Sequence, residues 1–93
     1  MTEPTLERRK KQFLYFEDPE DRRQRRRQWQ DIYPAIAAGV NVAVRVSGEN
    51  FIHRSHSIQE QVRQWKYRTG IPVIVHREGG PKNKWRLVWI IPL

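Results

Sequence analysis

Residues 40–47 alternate strictly. Val40, Val42, Val44 and Val46 fall on one side, and Asn41, Ala43, Arg45 and Ser47 on the other. Successive side chains of a strand point to opposite faces, so this period-2 run of β-branched residues predicts a half-buried β-strand. Ser47-Gly48-Glu49-Asn50 then reads as a turn. A strand with one apolar face needs pairing partners and a cover, and the rest of the chain must supply both.

Two later segments read as strands. Ile71 to Glu78 is one, with Pro72 tolerable at its start. Lys84 to Ile91 is the other. It puts Trp85, Leu87, Trp89 and Ile91 on one side and Lys84, Arg86, Val88 and Ile90 on the other. The loop Gly79-Gly80-Pro81-Lys82-Asn83 is short enough to make these two antiparallel. The aromatic side of the last strand is expected to face the core. That leaves Arg45, Lys84 and Arg86 on an open face, with His76 nearby.

Between the first two strands, Ser57-Ile58-Gln59-Glu60 matches a capping box. It predicts a helix to about Thr69, with Ile58, Val62 and Trp65 along its buried stripe and Gly70 as its stop. Upstream, Leu6 to Phe16 reads as a short helix. Asp18-Pro19 reads as the cap and first position of a second helix reaching Tyr33, where Pro34 kinks it or opens a fresh turn. The expected fold is α+β. N-terminal helical segments precede a β-α-β-β unit whose three-stranded mixed sheet carries one helix packed on a face. Residues 1–18 form a mobile or helical arm, and residues 19–93 a single small domain.

With 93 residues there is room for one modest core, and a large enclosed cofactor pocket is not expected. The chain has no cysteine, which excludes disulfides, thiolate metal sites and a cysteine nucleophile. No apolar run approaches the length of a membrane span, and Met1 to Lys11 is too charged for a secretory signal. These features predict a cytoplasmic location and no membrane partner.

The 18 basic and 10 acidic residues give a net charge of +8. Residues 40–93 carry nine basic and three acidic side chains, so most of the excess lies there. The first 39 residues are blocky instead. Acidic Glu17–Asp21 is followed by Arg22–Arg27, which reads RRQRRR. Such a block is either a solvated helical segment or an arginine-rich element that engages nucleic acid.

No nucleophile elbow, paired catalytic carboxylates or phosphate loop is present. His53 and His56 form a loose H-x-x-H pair, but Arg54 between them disfavours a cation, so neither a metal nor a cofactor is expected. The chain is therefore expected not to be an enzyme. His53, Arg54, Ser55, His56 and Ser57 precede the capping box and could gather around a phosphate at that helix N-terminus. The bland alternative is that Ser57 only caps the helix.

Two functions follow. The first is a small basic nucleic-acid-binding or regulatory accessory protein, contacting phosphates of DNA or RNA through Arg45, Arg54, Arg63, Lys66, Lys84 and Arg86. Six such contacts on duplex DNA imply a log–log salt slope of about −5. The second is a protein–protein interaction module, such as a phage- or plasmid-type host-takeover protein that binds and inhibits an acidic partner. Phe13, Phe16, Trp29 and Ile32 would form its partner-binding or dimerising surface. One continuous basic face favours the first; isolated cations beside an exposed apolar patch favour the second.

Overall fold

The structure is a computed structural model that describes residues 12–93. Its elements are β1 (Phe13–Glu17), α1 (Arg22–Ala37), β2 (Asn41–Ser47), α2 (Phe51–Thr69), β3 (Val73–Glu78) and β4 (Trp85–Pro92). The fold is α+β, with a four-stranded mixed sheet in the order β1-β2-β4-β3. β1 runs parallel to β2, while β4 is antiparallel to both β2 and β3.

The expected three-stranded sheet gains a fourth strand at the N-terminal side. Phe13–Glu17, read from sequence as the end of a helix, pairs in register from Phe13↔Asn41 to Glu17↔Arg45. Four consecutive bulky residues fit a strand as well as a helix, and a free edge of β2 decides between them. This strand comes from the segment read as an N-terminal arm. Residues 1–11, including the start of the expected Leu6–Phe16 helix, lie outside the described residues.

Both helices cover one face of the sheet. Val42, Val44 and Val46 of β2 join Val88 and Ile90 of β4 and Val73 of β3 beneath Trp29, Ile32 and Ile36 of α1 and Phe51, Ile58, Val62 and Trp65 of α2. Burying these aliphatic and aromatic side chains is the main source of stability in a chain this small. The register Val42↔Ile90 and Val44↔Val88 puts the even-numbered residues of β4 on the helix side. Trp85, Leu87, Trp89 and Ile91 therefore lie on the opposite face, reversing the expectation from sequence. Trp89 and Ile91 are nonetheless buried there, in a second small cluster with Ala43 against which Leu87 packs, while the helix-side core is built on the valines of β2 and their aliphatic partners.

Both helix starts also differ from expectation. α1 is capped by Asp21, whose carboxylate accepts from the backbone N–H groups of Arg23 and Gln24 at 2.7 and 3.4 Å. Asp18 is occupied elsewhere, because it accepts two hydrogen bonds from Arg54. α1 continues through Pro34, which lacks the N–H that the Gln30 carbonyl would otherwise receive.

α2 begins at Phe51, six residues before the expected Ser57. The stripe Phe51, Ser55, Ile58, Val62, Trp65 is spaced for one continuous helix face, and all five are buried. Burial of Phe51 outweighs the local capping signal. Gly70 ends α2 in the left-handed conformation, with φ 73°, and donates to the Lys66 carbonyl at 2.8 Å. None of the helices is long and apolar enough to cross a membrane among the described residues.

Candidate nucleic-acid interface

α1 and α2 each follow a strand of the same parallel pair, so both helices start at the same end of the sheet. Two contacts confirm that they run alongside each other. At the start, Arg54 in the first turn of α2 holds Asp18, just ahead of α1, with Nε–Oδ2 at 2.9 Å and Nη2–Oδ1 at 2.8 Å. Further along, Gln61 of α2 donates its amide to the Tyr33 hydroxyl of α1 at 2.9 Å. Tyr33 also stacks on Trp65 at 5.2 Å and meets Trp29 at 5.1 Å.

Between the helices lies a groove of about 410 Å³. It is lined by Arg22, Arg25, Arg26, Trp29, Gln30 and Tyr33 from α1, with Arg54 and Gln61 from α2. The α1 residues recur at i, i+3, i+4, i+7, i+8 and i+11, the spacing of one helix face. Four guanidiniums and no carboxylate line it. Arg54 is committed to Asp18, and Arg25 donates through Nη2 to the Glu20 carbonyl at 2.6 Å. Arg22 and Arg26 are exposed and have no carboxylate partner among the described residues.

A second cavity, about 550 Å³, sits at the carboxyl ends of β1 and β2. Asp18, Glu20 and Glu49 line it together with Arg25, His53 and Arg54. Its three carboxylates offset its cations, so it is a poorer host for an anion than the groove.

The six cations expected from sequence to contact phosphate do not form one face. Arg45 is on the sheet face away from the helices, 5.7 Å from the Trp85 ring. Arg63 is on the outer side of α2, 2.9 Å from Glu60. Lys66, also on α2, lies 3.4 Å from the Val73 carbonyl oxygen. Lys84 precedes β4 in a left-handed conformation, φ 56°. Arg86 lies on the helix side of β4, half-buried, with Nη1 3.5 Å from Ser55 Oγ. Only Arg54 reaches the groove.

The expected phosphate cradle before Ser57 is not present. The N–H groups of residues 54–57 are taken up inside α2, beginning with Arg54 to the Asn50 carbonyl at 2.9 Å, so of the five residues only His53 retains an N–H at the helix start. Ser55 is fully buried and donates to the Ile52 carbonyl at 2.8 Å. Among the described residues no three histidines or carboxylates gather to hold a metal.

The expected partner-binding set also divides. Trp29 and Ile32 are buried in the core at 4% and 0% exposure and cannot form a docking surface. Phe16 is half-buried against that core. Phe13 is exposed on the other sheet face, edge-on to Trp89 at 4.8 Å. Sequence reasoning singled out the Arg22–Arg27 block but not which of its members share a face. The spacing from Arg22 to Tyr33 is the signal that identifies them. Gln61 carried no local signal, because only the packing of α2 on α1 brings it to the groove. Comparison with protein-family models, curated proteins and solved structures finds no match to this chain.

Proposed function

We propose that this is a small, non-catalytic nucleic-acid-binding or regulatory accessory protein that holds phosphates in the groove between α1 and α2. The observation that carries this reading is the lining itself. Arg22, Arg25 and Arg26 converge, beside the Asp18-bound Arg54, on one groove whose lining includes no carboxylate. Clustered guanidiniums suit phosphate oxygens, which accept their paired N–H donors. The net charge of +8 adds long-range attraction for a polyanion.

The test is fluorescence polarisation with labelled duplex DNA, single-stranded DNA and RNA at 50 and 200 mM salt. The Arg22→Gln/Arg26→Gln double variant should weaken binding about tenfold, a loss of ~1.4 kcal/mol. Equal affinity of the variant and the parent chain overturns the groove as the phosphate site.

A second reading, a module that binds an acidic protein partner, is favoured by the other sheet face. Phe13, Tyr15 and Ile74 are exposed there, and Arg45 lines a cleft with Tyr15, Trp85 and Leu87. Arg45 thus lies beside an apolar patch, with the Glu17 carboxylate as its register neighbour on β1. Pull-down with Arg45→Glu as the control separates the two readings. Loss of a captured acidic protein in that variant, with nucleic-acid binding intact, supports the second.

A further inference from the structure

The groove has two chemically different ends. Arg22, Arg25, Arg26 and Arg54 occupy the end where both helices begin. Gln30, Tyr33 and Gln61 occupy the other, which the Gln61–Tyr33 hydrogen bond fixes. By helix rise, Arg54 and Gln61 are about 10 Å apart along α2. Cations at one end suit a phosphate backbone. Primary amides at the other present a donor and an acceptor side by side, the pattern that pairs with base edges.

Resting on the nucleic-acid reading, we infer that the groove takes a single strand, with phosphates at the arginine end and an unstacked base at the Gln30–Tyr33–Gln61 end. Width is the first reason. The groove holds only about 410 Å³ between helices whose axes, when packed, are about 8–10 Å apart, and a duplex is a rod wider than that spacing. A duplex could touch the rim but could not enter. The base edges are the second reason, because the Watson–Crick edges that primary amides can pair with are free only on an unpaired base.

The floor supplies an independent observation. Trp29 lines the groove at 4% exposure, and its indole N–H has no acceptor. The indole nitrogen is itself enclosed, so Trp29 reports on what enters the groove through the packing of its ring and not through a direct hydrogen bond. Tyr33 also lines the groove, half-buried and backed by Trp65, and supplies a ring on which a base can pack.

The experiment compares short single-stranded DNA, single-stranded RNA and duplex DNA of the same sequence, with the parent chain, Gln30→Ala/Gln61→Ala and Arg22→Gln/Arg26→Gln. Circular dichroism checks that each variant is folded. Single strands of at least one polymer should bind about tenfold tighter than duplex. The glutamine variant should lose that preference, and the arginine variant should weaken every form. Indole ¹⁵N–¹H spectra should show the Trp29 resonance shifting when single strand is added. Equal binding of duplex and single strand, with the glutamine variant unchanged, overturns the single-strand inference while leaving the nucleic-acid reading intact. No binding of any form overturns both.

Discussion

Arg54 and Asp18 are 36 positions apart and form a two-point ion pair, with hydrogen bonds of 2.9 and 2.8 Å. The pair ties the β1–α1 connection to the first turn of α2. It also explains why Arg54 is a poor candidate for binding phosphate directly. A guanidinium already matched to a carboxylate must give up that partner first.

Removing one member of the pair should be destabilising. The Asp18 side chain is only 6% exposed, so Arg54→Ala leaves a carboxylate buried without its cation. Breaking a fully buried pair typically costs about 3–5 kcal/mol. Because the Arg54 side chain is 22% exposed, the expected loss here is about 2–3 kcal/mol after allowance for solvent screening. Arg54→Lys should recover little of it, since an ammonium cannot reproduce the two-point geometry. Urea unfolding of the three proteins measures the difference. A loss under about 0.5 kcal/mol for Arg54→Ala would show that the pair adds nothing beyond an exposed one.

The core assignment of Ile32 separates packing from docking. Ile32 is fully buried beside Trp29 and Ile36, so Ile32→Ala should cost about 2–5 kcal/mol. Tyr67 on α2 is 84% exposed, so Tyr67→Ala should stay within about 0.5 kcal/mol. Chemical denaturation of both variants checks this. A small effect at Ile32 would mean that α1 is not seated on the sheet as described.

Gly79 and Gly80 look interchangeable in sequence and are not in structure. Gly79 has φ 95°, and a Cβ there would lie 2.6 Å from the Trp85 carbonyl oxygen. Gly80 has nothing within 4 Å of its Cβ position. The left-handed conformation alone costs an alanine about 1–2 kcal/mol. The clash is with backbone, which a side-chain rotation cannot relieve. Gly79→Ala should therefore lose at least ~2 kcal/mol of stability, and Gly80→Ala should lose less than about 0.5 kcal/mol. Thermal unfolding of the pair gives the comparison.

Where the sequence pattern was periodic and long, it specified the element. The alternation from Val40 to Ser47 became β2, and the apolar stripe through Ile58, Val62 and Trp65 became part of α2. It misled where local and tertiary signals competed. The capping box at Ser57 is real as a pattern, yet Phe51 finds a place in the core and draws the helix six residues earlier. The tryptophans of β4 promised core, and Trp89 is buried, but in a second cluster on the far face of the sheet, because strand register gave the helix side to Val88 and Ile90. The groove was half legible. Its arginines sit in one block of sequence, whereas Gln61 and Arg54 reach it only through the packing of α2 beside α1.

Salt dependence is the sharpest consequence of moving the phosphate contacts into the groove. Six dispersed cations on duplex DNA would give a log–log slope of about −5. In the groove Arg54 is held by Asp18, which leaves Arg22, Arg25 and Arg26 as the proposed phosphate contacts. Three contacts on a single strand, at about −0.7 each, predict a slope near −2. Arg22→Gln/Arg26→Gln should bring it to about −0.7. Arg45→Gln, on the far face of the sheet, should leave it unchanged. Polarisation titrations between 50 and 200 mM salt measure all three slopes. A slope near −5 that falls with Arg45→Gln would return the contacts to the dispersed set and remove the groove from the binding surface.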